Sequence, residues 1–155
     1  MQNLRKKVEN YFKDRFGVTK NFWNDYKFHK KGKSIWTTTK KMNLDRNFTA
    51  CGIRTLRIIN DYLKPTTYIL QILDKKIEKN TKNLNENEFQ KLVLKREPIE
   101  SSKTPGYISL KFKSHIIGCG LINSNQRLKT QISKERTKEL RKIYGKCISN
   151  HYKIM

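Results

Sequence analysis

Leu4, Val8, Tyr11, Phe12 and Phe16 recur at three- and four-residue intervals, with Arg5, Lys6, Lys13 and Asp14 mostly on the opposite side. This spacing predicts an amphipathic helix over residues 4–16, stopped by Gly17. Behind the aromatic piece Phe22-Trp23-Asn24-Asp25-Tyr26 the period changes to two. Residues 26–29 and 34–38 flank Lys30-Lys31-Gly32-Lys33 and predict a β-hairpin with a glycine turn. Tyr26, Phe28, Ile35 and Thr37 would share one of its faces, and Lys27, His29, Trp36 and Thr38 the other. One face must pack and the other must meet solvent.

A polar link over residues 40–47 leads to "ACGIRTLRII", where Ile53, Leu56, Ile58 and Ile59 break clean alternation. That break predicts a β-bulge near Thr55, with Arg54 and Arg57 inside the segment. "YLKPTTYILQIL" predicts a helix with Pro65 at its first position and Ile69, Leu70, Ile72 and Leu73 as its apolar side. A strand is expected over residues 76–84. Asn85-Glu86-Asn87-Glu88 has the form of a capping box opening a helix over 86–94, with Phe89, Leu92 and Val93 facing inward. Pro98 and Ser101-Ser102-Lys103-Thr104-Pro105 form a loop.

The last third opens on "GYISLKFKSHIIGCGLI", two alternating runs folded over a Lys-Ser-His turn. Gly118 and Gly120 stand inside its second strand. Glycine weakens a strand, so a bulge or a close backbone approach must require it. A turn at Asn123-Ser124-Asn125, a strand over 127–132 and a basic, helical segment over 134–146 complete the chain. Internal repeats, low-complexity tracts and heptads are absent from the sequence. The pattern predicts an α+β fold: a small mixed β-barrel over residues 48–155, with the helix and hairpin of residues 1–47 as an extension, together one compact unit.

Composition changes the picture through charge. Thirty-five Lys and Arg face 13 Asp and Glu in 155 residues, a formal net charge of +22. A folded body with that excess repels itself unless a polyanion neutralises it, and counterion release at phosphates makes nucleic acid the expected partner. Apolar residues at 35% with 10% aromatics still support a core. No run reaches the roughly 18 uncharged apolar residues of a membrane span, and the charged start lacks the apolar region of a secretory signal. No basic amphipathic helix with a broad apolar face argues for a membrane surface. A soluble, cytoplasmic protein without membrane partners is expected.

The residue types needed for catalysis do not assemble. Nucleotide-binding glycine loops, the Gly-x-Ser-x-Gly elbow and His-Glu-x-x-His are all missing. Cys51, Cys119 and Cys147 are far apart, as are His29, His115 and His151, so zinc spacing is lacking. Cys51 and Cys119 read as small buried hydrophobes in a reducing compartment. Glu97 and Glu100 beside Pro98 read as solvated loop acids, and Cys119 shows no base at hand. No enzyme activity, cofactor, metal or small-molecule substrate is expected.

A binding surface remains. Lys111 and Lys113 alternate with apolar neighbours, His115 stands at a turn among basic residues, and Arg127, Lys129, Lys134, Arg136, Lys138, Arg141, Lys142 and Lys146 crowd the C-terminal third. Phosphate contact needs such charge without strict placement. Base recognition needs exposed aromatics or arginine planes, for which Trp36, Tyr26 and His29 are candidates, although a tryptophan in a small domain more often belongs to the core. The absence of helix-turn-helix spacing favours structured RNA over duplex DNA.

"GYISLKFKSHIIGCGLI…RLKTQISKER" resembles the C-terminal half of PUA-like domains, including the tail domains of ribosomal RNA cytosine-5 methyltransferases of the NOP2/Sun group. Ser133-Lys134-Glu135-Arg136 lacks the proline usual in that group. "YFKDRFGV…FWNDYKFHKKGKSIWTT…GIRTLRI…LKPTT" is similar to an uncharacterised archaeal family, and this likeness covers most of the chain. The resemblance implies a PUA-like barrel and RNA contacts at Gly118, Gly120, Arg54, Arg57, Lys64 and residues 129–136, with a purely structural role for both glycines at a barrel corner as the alternative. It implies binding to ribosomal RNA as a subunit component or assembly factor, beside ribosomal proteins. The alternative is an RNA-targeting subunit for an RNA-modifying enzyme such as an rRNA or tRNA methyltransferase.

Overall fold

The computed structural model describes residues 2–41 and 52–153. The fold is α+β, with a four-stranded sheet, a curled five-stranded half-barrel and several helices. The chain divides into two compact units, Met1–Thr81 and Lys82–Met155. The division expected between residues 47 and 48 falls outside the described residues, and the first sheet includes strands from both sides of it.

In the first unit, helix α1 (Gln2–Phe16) buries Val8, Phe12 and Phe16 completely. Each such side chain stabilises the fold by about 1.5–3 kcal/mol. Gly17 ends the helix at φ +70°, its N–H donating to Lys13 O at 3.0 Å while Val18 N–H donates to Phe12 O at 3.1 Å. A 3-10 turn, Lys20–Asp25, inserts Trp23 into the core, where its ring centre lies 5.2 Å from Phe12 and 5.3 Å from Phe28. Arg5 is a structural clamp: its guanidinium donates to Trp23 O at 3.0 Å and Tyr26 O at 2.9 Å and pairs with Glu9 at 3.1 Å.

Strands β1 (Tyr26–Lys31), β2 (Ser34–Thr39), β3 (Ile53–Ile59) and β4 (Tyr62–Pro65) form one antiparallel sheet in chain order. The hairpin is therefore no appendage to a barrel, because β2 pairs along β3. Thr66, rather than Pro65, opens helix α2 (Thr67–Ile72), its hydroxyl accepting from Ile69 N–H. Pro65 is the last, buried residue of β4.

The second unit orders its sheet β5-β7-β8-β9-β6, using β5 (Thr81–Leu84), β6 (Ile99–Glu100), β7 (Gly106–Phe112), β8 (His115–Ile122) and β9 (Arg127–Thr130). The expected strand over 76–84 is thus confined to its last four residues. Between β5 and β6 lies α3 (Glu86–Glu88), which continues as a π-helical turn over Phe89–Leu94. Its capping box is present: Glu88 N–H donates to Asn85 Oδ1 at 2.8 Å and Asn85 N–H to Glu88 Oε1 at 3.1 Å. Burial alone pushes the Glu88 carboxyl up, but the Lys82 ammonium 2.9 Å away and the Asn85 N–H together hold it below its ordinary value. Asn85→Ala should cost about 0.5–2 kcal/mol, read as a lowered midpoint in thermal unfolding at neutral pH.

Phe89 and Phe112 stack at 4.1 Å in the core of this unit, with Tyr144 of α4 (Lys134–Lys153) edge-on to both. Thr137 and Leu140 of α4 are buried as well. Arg96 ties the helix start to the loop after β9, donating to Ile132 O at 2.7 Å and Thr137 Oγ1 at 3.0 Å.

Candidate nucleic-acid interface

The first sheet gathers chemistry on the face away from its core. Cross-strand partners share a face, so the register fixes which side chains stand together. Ile35, Leu56 and Pro65 are aligned across three strands and buried. On the opposite face His29, Trp36 and Arg54 align across β1, β2 and β3. Two residues further along β1 and β2 and three along β3, Lys31, Ser34 and Arg57 form a second row, which Lys64 extends onto β4. None of these seven residues is acidic.

The bulge makes this possible. Arg54 and Arg57 are three residues apart, which in a regular strand places them on opposite faces. Leu56 pairs with Ile35 and Arg54 with Trp36, so Thr55 is the extra residue. Its fully buried hydroxyl is hydrogen-bonded to that of Thr37 on the core side. The added residue shifts the parity of β3 and returns Arg54 to the face that carries Arg57. The bulge expected near Thr55 is thus what assembles the site.

Trp36 is half-buried, and Arg54 and Arg57 are exposed. The Arg54 guanidinium carbon lies 5.4 Å from the Trp36 ring centre, and the His29 ring is nearly parallel to the indole, 15° off and 6.5 Å away. Burial holds His29 below its ordinary pKa, with the Lys31 charge acting in the same direction. Both effects favour the neutral ring. Tyr26 stands apart from this face: its ring stacks on Phe22 at 5.5 Å.

The remaining expected contacts lie in the second unit and separate into groups. Lys111, Lys113 and His115 surround the tip of the β7–β8 hairpin, where Phe112 pairs with His115 across Lys113-Ser114. Both turn residues have positive φ, 49° and 69°, and the Lys113 ammonium lies 5.6 Å from the Phe112 ring centre. Arg127 and Lys129 are exposed on β9, but Arg127 is paired across the strands with Glu100. Lys134 is exposed at the start of α4, whereas Arg136 binds Glu139 at 2.8 Å. Arg141 donates to Leu94 O at 3.0 Å. Arg136 and Arg141 thus already have partners within the protein.

Gly118 and Gly120 require a correction. Both are buried, and the space a side chain would occupy is filled by the chain itself. A Cβ on Gly118 would collide with Ile132 Cγ1, and one on Gly120 would stand 2.6 Å from Leu128 Cδ1. Ile117, the extra residue where Leu110 pairs with Gly118 and Lys111 with Ile116, forms a bulge directly beside Gly118. The close approach is made by apolar side chains, not by an RNA backbone.

Among the described residues no three His, Cys, Asp or Glu side chains come together as a metal site. Cys119 is buried, and Cys51 lies outside the described residues. A hollow lined by Glu100, Ser101, Ser102, Asn125, Gln126 and Arg127 is open and formed by loops and strand ends. No described helix is long and apolar enough to cross a membrane. No protein-family model matches the chain, and no curated protein matches it.

Proposed function

We propose that this chain is a non-enzymatic RNA-binding protein that binds ribosomal RNA, as a ribosomal-subunit component or an assembly factor. The observation that carries the reading is the double row on the first sheet, His29–Trp36–Arg54 beside Lys31–Ser34–Arg57–Lys64. Arg57 and Lys64 stand opposite each other on neighbouring strands, a juxtaposition of like charge that suits a bound phosphate chain. The net charge of +22 supports a polyanionic partner for the molecule as a whole. The curled half-barrel of the second unit supports a PUA-like reading, with Lys111, Lys113, His115, Lys129 and Lys134 as further phosphate contacts.

The test is binding of ribosomal RNA fragments by the full chain over a range of salt concentrations. Affinity should fall log-linearly with salt, and Arg54→Glu with Arg57→Glu should reduce the slope by about two phosphate contacts. Binding that is indifferent to salt, or no tighter for ribosomal RNA than for duplex DNA, overturns the proposal. A normal slope in the double variant moves the contact off this sheet.

A further inference from the structure

We infer that Trp36 is a stacking platform for an unpaired nucleobase, so that the first sheet takes single-stranded or looped RNA rather than a regular duplex. This rests on the RNA-binding reading above and specifies its ligand.

The two tryptophans have opposite settings. Trp23 is completely buried in the aromatic core, while Trp36 stands half-buried on the face that turns away from Ile35, Leu56 and Pro65. The indole is therefore not needed to fill the core. Its nearest ring does not cover it either. Phe89 and Phe112 show what close stacking looks like here, 4.1 Å between centres at 9°. His29 and Trp36 are almost as parallel but 6.5 Å apart, so His29 does not stack on the indole as closely as those two rings stack on each other. Arg54, on the neighbouring strand, brings a guanidinium plane that itself stacks on bases.

Spacing and charge select the occupant. The cationic row lies two residues further along β1 and β2, about 7 Å from the aromatic row, and beyond the bulge on β3. That offset is on the scale of the separation between a base and its flanking phosphate, so one nucleotide can engage both rows. A-form duplex keeps its bases stacked within the helix and offers only backbone and groove edges, whereas loops and single strands present free base faces. The imidazole of His29, nearly parallel to the indole, adds aromatic surface beside it.

The experiment compares a short single-stranded RNA with a blunt duplex of the same length, using the full chain. Single-stranded RNA should quench the tryptophan emission, and Trp36→Leu should abolish the quenching because only core Trp23 remains. The variant should lose about 5- to 150-fold in single-strand affinity, as expected when one base–aromatic stack is removed. Its duplex affinity and salt slope should be unchanged, and Trp36→Phe should recover most of the lost affinity. Far-UV circular dichroism reports folding. Should Trp36→Leu fail to fold, Arg54→Gln at the exposed neighbouring position must weaken single-strand binding more than duplex binding. Wild-type single-strand affinity in a folded Trp36→Leu, or equal losses for both RNAs in Arg54→Gln, overturns the inference while leaving RNA binding intact. Failure of the wild type to bind either RNA overturns the underlying reading.

Discussion

Gly118→Ala should destabilise the second unit by about 1–3 kcal/mol, the usual cost of forcing extra volume into a packed core. The added Cβ would collide with Ile132 Cγ1 and lie 2.9 Å from its Cδ1. Ile132 is 4% exposed and β-branched, so it has few ways to move aside. Gly120→Ala should cost less, because the atom it meets most closely is the end of the Leu128 side chain. The decisive measurement is a double-mutant cycle by chemical denaturation. Ile132→Ala alone opens a cavity and destabilises, but Gly118→Ala in that background should be much milder than in the wild type. A coupling of at least about 1 kcal/mol is expected; strict additivity would mean that Gly118 is required for another reason.

Much of the local structure was legible because short-range patterns carried it. Helix α1, its stop at Gly17, the first hairpin and the Asn85–Glu88 box all depend on residues within a turn or a few strand positions of one another. The bulge at Thr55 was also legible, as a lapse in alternation. Its consequence was not, because the face occupied by Arg54 depends on the β2–β3 register, set across the link between those strands. The same pairing made the hairpin part of a four-stranded sheet instead of an extension. Proline at a helix start is a general preference, yet Thr66 supplied the hydroxyl cap and left Pro65 in the strand. The glycines drew attention for a valid reason, but their partners, Ile132 and Leu128, are brought in by β9 and the loop after it. Charge alone also could not separate Arg54 and Arg57 from Arg5, Arg96 and Arg141, whose guanidinium groups bind backbone carbonyls.

Gly52→Ala should be the most damaging glycine substitution in the first unit, at about 3 kcal/mol or more, and Gly32→Ala shows why. Gly52 and Gly32 both have positive φ, +90° and +58°, so alanine is strained at either site by about 1–3 kcal/mol. At Gly32 a new Cβ would have no heavy atom within 4 Å, leaving backbone strain as the whole cost. At Gly52 it would overlap the backbone oxygen and carbon of Thr37 and crowd the Thr38 methyl at 2.5 Å. A carbonyl within a sheet cannot yield as a flexible side chain can, so β3 must draw away from β2. That movement begins one residue before Ile53, which pairs with Thr37, and two before Arg54, which pairs with Trp36. Denaturation midpoints should therefore fall further for Gly52→Ala than for Gly32→Ala. Only Gly52→Ala should also alter Trp36 emission and weaken single-strand binding under conditions where the protein remains folded. Equal losses at the two glycines would show that the β2–β3 contact at Thr37 is soft, and would separate the position of Arg54 from the path of the chain into β3.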